Sequence, residues 1–154
     1  MPSFSITSPA FAQGEAIPVV HTCDGKDSSP LLSWNDPSPE ARSFVLIVDD
    51  PDAPRGTFTH WVLFDIPTDA HELPSGEHKL GVAGRNDFGS SGYRGPCPPR
   101  GGPHRYYFRL FALDVESLKL PAGAARPQVE HAMQGHVLAQ AELMGRYARA
   151  AASA

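Results

Sequence analysis

The stretch "SFVLIVDDPDAPRGTFTHWVLFDIP", Ser43 to Pro67, holds two apolar runs around a turn. The first, "SFVLIVD" (Ser43–Asp49), is short, rich in β-branched residues and free of polar alternation. That composition predicts a strand buried on both faces, and so a central one. The second, "THWVLFDI" (Thr59–Ile66), reads as a strand stopped by Pro67. Asp, Pro and Gly between them supply turn chemistry. Antiparallel pairing places Asp50 and His60 at the same rim of a sheet. Side-chain alternation puts Asp50 on the face of Phe44, Leu46 and Val48, and His60 on the face of Val62, Phe64 and Ile66.

A third strong strand signal follows at Arg105–Asp114, "RYYFRLFALD". Its even positions, Tyr106, Phe108 and Leu110, are apolar or aromatic, and its odd positions carry Arg105, Tyr107 and Arg109. A period of two predicts a half-exposed strand with its even face inward. Ser3–Thr7 and Leu31–Trp34 are weaker strand signals. Pro127–Gln134 predicts a short helix with proline in its first turn. Val137–Tyr147, "VLAQAELMGRY", favours helix by propensity and fits a strand by periodicity. Asp24–Pro30, Pro51–Phe58, Pro67–Lys79 and Arg85–Pro103 read as loops. Together these features predict one mainly β domain over residues 1–154, a sandwich or barrel with little helix.

Composition supports a globular chain. Of 154 residues, 41% are hydrophobic and 19% charged. Sixteen prolines argue against long helices. A net charge of −4 gives no general attraction for nucleic acid or an anionic membrane, so a bound anion needs a local site. No apolar run is long enough for a membrane helix, and the N-terminus lacks the pattern of a signal peptide. These features predict a cytoplasmic protein, in which Cys23 and Cys97 would be reduced thiols.

Eight of the fifteen residues of "GYRGPCPPRGGPHRY" (Gly92–Tyr106) are Gly or Pro. Such a mixture fixes some backbone angles and permits unusual ones at others, which suits a shaped wall more than a linker. His104 sits where this wall meets the third strand, in line with Tyr106. Asp50, His60, His104 and Tyr106 thus each continue an apolar row at its end. A carboxylate beside an imidazole orients the ring and favours its charged form. With a tyrosine hydroxyl and the N–H groups of Gly92, Gly95, Cys97, Gly101 and Gly102, this set predicts a donor-rich hollow for phosphate or carboxylate. His21, His71, His78, His131 and His136 show no clustered partners and read as surface or structural residues. Trp34 and Trp61 read as core. Cys97 with His60 or His104 and Asp50 has the residue types of a cysteine hydrolase, without a nucleophile-elbow or papain-like context. The same side chains lack the tight spacing of a metal site. No cofactor is called for.

At these residues the sequence resembles a known family. "DPDAP" (Asp50–Pro54), "HWVLFDIP" (His60–Pro67) and "GYRGPCPPRGGPHRYYF" (Gly92–Phe108) resemble signature blocks of the phosphatidylethanolamine-binding proteins, which include the Raf kinase inhibitor proteins. Ile17–Trp34 and Gly135–Tyr147 resemble the bacterial branch. The resemblance implies two antiparallel sheets with few helices, and a strand at Val137–Tyr147. It also implies an anion pocket built from Asp50, Asp52, His60, Gly95, Pro96, His104 and Tyr106. Its ligand would be a small anion, a phospholipid head group or a phosphorylated protein partner. The implied role is non-catalytic binding and regulation, with a kinase or protease as the kind of target, and the implied assembly is a homodimer.

Overall fold

The computed structural model describes residues 4–35, 38–76 and 79–149. Its strands are β1 (Ile6–Thr7), β2 (Leu32–Trp34), β3 (Ser43–Asp50), β4 (Phe58–Pro67), β5 (Glu72–Leu73), β6 (Val82–Ala83), β7 (His104–Leu113) and β8 (Val137–Tyr147). One α-helix, α1, spans Arg126–Met133. A five-stranded antiparallel sheet runs β6-β4-β3-β7-β8, and a small antiparallel sheet runs β1-β2-β5.

β3 is the middle strand of the large sheet, and all eight of its residues are buried. The reason is a layer on each side. Phe44, Leu46 and Val48 join Trp61, Leu63, Tyr106, Phe108 and Leu110 in a core shared with Ile6, Leu32, Trp34 and Leu73 of the small sheet. Val45 and Ile47 point the other way, to Val62, Phe64, Leu118 and the α1 residues Val129 and Met133. Each fully buried large side chain contributes roughly 1.5–3 kcal/mol relative to exposure. Two successive faces of one strand therefore both serve as core.

The sequence expectations hold for the main elements. β7 alternates as expected, with Tyr106, Phe108 and Leu110 buried. Trp34 and Trp61 are core residues. Val137–Tyr147 is a strand, because pairing along β7 outweighs its helical propensity. In α1, Pro127 lies in the first turn and the Gln128 side chain accepts the Ala125 N–H at 2.9 Å. The first weak strand is confined to Ile6–Thr7, and Ser3 lies outside the described residues. The Pro67–Lys79 loop contains the two-residue β5. No helix among the described residues is long and apolar enough to cross a membrane.

Two expectations are corrected. Cys23 and Cys97 are joined in a disulfide, so they are not free thiols. Disulfides persist in oxidising surroundings, so the step from an expected cytoplasmic location to reduced thiols fails. Strand alternation also misplaces His60. Val62 and Phe64 face the helix layer, whereas His60 packs against Tyr106 on the opposite side. The cause is a register shift in β4. Val48 pairs with Trp61, but Asp49 pairs with Thr59, so His60 is the extra residue of a bulge. A second shift lies between the Phe44–Ile66 and Leu46–Leu63 pairs. There Asp65 adopts φ +55°, and its carboxylate accepts the Ser117 hydroxyl and the Leu118 N–H, both at 2.8 Å.

Candidate functional site

β3 ends in two acids that point to opposite faces. Asp49 turns toward the helix layer and meets Arg126 at 2.8 Å and Arg109 at 3.2 Å. Asp50 turns toward the other face, where its Oδ2 accepts His104 Nδ1–H at 2.7 Å. Its Oδ1 accepts the Asp52 N–H at 2.8 Å, an Asx turn that shapes the Asp50–Pro54 segment. The Asp52 carboxylate accepts three N–H groups of Arg105: the backbone and Nε at 2.9 Å, and Nη2 at 2.8 Å. Arg105 holds the Asp52 carboxyl down at about 2. The acidic turn is thus tied to two consecutive residues at the start of β7.

His60 is fixed from the other side. Its Nδ1–H donates to the Arg94 carbonyl at 2.8 Å, and the Arg94 N–H donates back to the His60 carbonyl at 3.2 Å. The ring lies edge-on to Tyr106 and Phe88 and tilted against Phe58, with centroids 5.1–5.4 Å away. Burial lowers its pKa, and this outweighs the opposing pull of the Arg94 carbonyl and the Asp50 charge. At neutral pH His60 is therefore the Nδ1–H tautomer, with Nε2 as an acceptor. His104 likewise commits Nδ1 to the protein and keeps Nε2.

These groups border a cavity of about 210 Å³ lined by Asp50, His60, His104 and Tyr106 together with Phe58, Phe88 and the Cys97–Pro99 wall. The Tyr106 hydroxyl is buried and makes no hydrogen bond at standard geometry. Burial raises its pKa, and the nearby Asp50 carboxylate adds to the rise, so it stays a phenol. Asp50 acts on the phenol both by its charge and as a hydrogen-bond partner, although the pair falls outside standard hydrogen-bond geometry.

The structure brings Asp50, His60, His104 and Tyr106 together at one cavity. It does not place Asp52, Gly95 or Pro96 on its lining. Of the five loop amides expected as donors, those of Gly92, Gly95 and Gly101 are engaged elsewhere. The Gly95 N–H donates to Asp27 at 2.8 Å, that of Gly92 to the Gly84 carbonyl at 3.3 Å, and that of Gly101 to the Arg149 carbonyl at 3.3 Å. Gly95 is required for close approach, because a Cβ there would sit against the His21 carbonyl oxygen. The loop borders the cavity with Cys97, Pro98 and Pro99. Sequence reasoning missed Asp27, which anchors Gly95 and pairs with Arg94 at 3.2 Å. It also missed the aromatic lips Phe58 and Phe88, the latter under the Arg94 guanidinium at 4.8 Å. Aromatic residues in Gly-flanked segments were the available signal.

The other histidines stand mostly apart from the cavity. His21 is buried and its Nδ1 bonds the Ser28 carbonyl at 2.8 Å. His136, expected without a partner, pairs with Asp114 at 2.8 Å. His78 lies outside the described residues. Because Cys97 is bonded to Cys23, it has no thiolate to act as a nucleophile or ligand, which removes the hydrolase reading from this form. Among the described residues no group of three His, Cys, Asp or Glu is arranged for a metal.

Comparison with known proteins gives a consistent answer. The family model for phosphatidylethanolamine-binding protein matches residues 7–148. A UPF0098 protein of Aquifex aeolicus is 56% identical over 150 residues, covering 94% of this chain and 88% of that protein. A UPF0098 protein of Methanothermobacter thermautotrophicus is 50% identical, over 91% and 95%. The crystal structure of a phosphatidylethanolamine-binding protein homologue from Chlamydia trachomatis superposes with a TM-score of 0.92 at 41% identity, over 97% and 99% of the two chains. That of E. coli YbcL, described as a member of the mammalian family, gives 0.89 at 31%, over 96% and 99%.

Proposed function

Since this chain belongs to the phosphatidylethanolamine-binding protein family, we propose that its rim cavity binds a small phosphate-like or carboxylate anion and serves recognition without catalysis. The observation that carries this reading is the buried Tyr106 hydroxyl, which has no protein hydrogen bond of standard geometry, on a cavity that also receives the Asp50–His104 pair. A buried donor without a partner costs free energy that a ligand oxygen can recover. When His104 is protonated, Nε2–H is a second, charge-assisted donor. The negative charge of Asp50 is then balanced by the imidazolium it holds, so an anion meets no uncompensated carboxylate. His60 Nε2, an acceptor at neutral pH, suits the P–OH of a singly ionised phosphate. Pro54, Pro98, Pro99 and Phe58 give the cavity an apolar border, and a less polar surrounding strengthens each polar contact.

Size narrows the class. About 210 Å³ is smaller than the roughly 300–1,000 Å³ of drug-sized sites. It suits a head group, with the rest of a lipid or phosphorylated partner outside. Titration of phenyl phosphate followed by amide and imidazole NMR tests the reading. Shifts should concentrate at Asp50, His60, His104, Tyr106 and Cys97–Pro99. His104→Ala should weaken binding roughly 10- to 100-fold, the range for a charged hydrogen bond. Unchanged affinity in that variant, or shifts scattered over distant loops, would overturn the assignment.

A further inference from the structure

We propose that the Cys23–Cys97 disulfide is a thiol–disulfide exchange site whose state sets the affinity of the rim cavity. The inference rests on the anion-binding reading of that cavity and adds its regulation.

Three observations carry it. First, Cys97 lines the cavity beside Pro98 and Pro99, so the bond is part of the wall and not a remote staple. Second, Cys97 is exposed and Cys23 only half-buried, so a thiolate in solution reaches the Cys97 sulfur more readily. Exposure is what distinguishes labile disulfides from inert ones. Third, the wall has few other fastenings. On its N-terminal side Gly95 N–H meets Asp27, and the Pro96 carbonyl accepts the Cys23 N–H at 3.1 Å. On its C-terminal side Gly101 N–H meets the Arg149 carbonyl at 3.3 Å. Arg100 also bridges to Arg149, so the stretch between these anchors is Cys97, Pro98 and Pro99. The two prolines have no N–H to donate. The covalent bond at Cys97 therefore defines where Pro98 and Pro99 stand against His104 and Tyr106.

The chemistry balances with a dithiol as reductant. Its first thiolate attacks Cys97 Sγ, an S–S bond forms between them, and the Cys23–Cys97 bond breaks with Cys23 leaving as thiolate. The second thiol of the reductant then attacks the mixed disulfide and releases the Cys97 thiolate. The dithiol is oxidised to a disulfide by two electrons. Its two protons end on Cys23 and Cys97. The freed wall must then be ordered again by each ligand that binds.

The test compares oxidised and dithiothreitol-reduced protein under native conditions. Free thiols are counted, far-UV dichroism monitors the fold, and phenyl phosphate affinity is measured by calorimetry. Oxidised protein should bind, and reduced protein should stay folded and bind roughly tenfold or more weakly, as expected when a preorganised wall becomes mobile. Reoxidation should restore affinity. Glutathione trapping should leave its adduct on Cys97, located by peptide mass mapping. Equal affinity in both states would overturn the inference while leaving the anion site intact. Reduction achieved only in denaturant, an adduct confined to Cys23, or unfolding on reduction would also overturn it. If neither state binds, the anion reading fails first and takes this inference with it.

Discussion

Tyr106→Phe separates a ligand-facing hydroxyl from a structural one, because the two predict opposite signs. The ring of Tyr106 is 1% exposed and packs edge-on to His60 at 5.3 Å. Phenylalanine keeps that packing and deletes only the oxygen. A buried hydroxyl without a partner carries a desolvation penalty of about 1–3 kcal/mol. Its removal should therefore raise the stability of the free protein by about 1 kcal/mol, allowing for relaxation around the site. For a chain of this length that corresponds to a rise of about 2–4 °C in Tm. Phosphate binding should move the other way. Losing a hydrogen bond to a charged oxygen costs about 1.5–3 kcal/mol, or roughly 10- to 100-fold in Kd. Urea titration of the ligand-free protein and calorimetry with phenyl phosphate read the two effects separately. A stability loss of about 1 kcal/mol with unchanged binding would refute the reasoning. It would mean that Asp50 accepts the hydroxyl in the free protein and that the ligand makes no use of it.

Three further outcomes follow from the same geometry. Gly95→Ala should destabilise by about 1–3 kcal/mol in urea melts, since its Cβ meets the His21 carbonyl and, at 2.7 Å, Asp27 Oδ1; a neutral result would show the loop free to shift. The folded-state pKa of His60 lies below its ordinary 6.5, so its contribution is complete above that pH and declines as pH falls toward the folded value. Tm should thus begin to drop below about pH 6.5, and His60→Phe should flatten that part of the profile. Asp49→Ala leaves Arg109 and Arg126 facing each other without their shared carboxylate, and should cost about 3 kcal/mol in urea denaturation.

Much of the fold was legible because its central strands are long and bury whole faces. β3 needed no partner to be recognised, since seven consecutive residues without polar alternation have few other uses. β7 announced its inner face through Tyr106, Phe108 and Leu110. β5 and β6, with two residues each, were not legible, because such strands are defined by the neighbours they pair with. His60 shows a different limit. Alternation assumes an unbroken register, and one extra residue in β4 reverses every assignment beyond it. Asp50 and His60 do share a rim, as antiparallel pairing requires, but only the bulge turns the imidazole toward Tyr106. The glycines were misread for a related reason. Loop N–H groups are donors on paper, yet which are already engaged depends on Asp27, Gly84 and Arg149, remote in sequence. The cystine was missed because compartment was inferred before geometry was known.

The proposed recognition role of one end of β3 comes down to which cation each acid holds. Asp49 and Asp50 are both almost fully buried, and each would be costly alone. Asp49 is met by two guanidiniums, which remain charged at any physiological pH. Asp50 is met by a single imidazole through Nδ1, and Nε2 of that ring is not part of the pair. An anion that favours the imidazolium strengthens the contact with Asp50 in the same step, so binding and the internal ion pair reinforce each other. The same strand end thus carries a fixed contact on one face and an adjustable one on the other. The Asp50–His104 contact borders the 210 Å³ cavity, and that coincidence is the physical ground for proposing a ligand there.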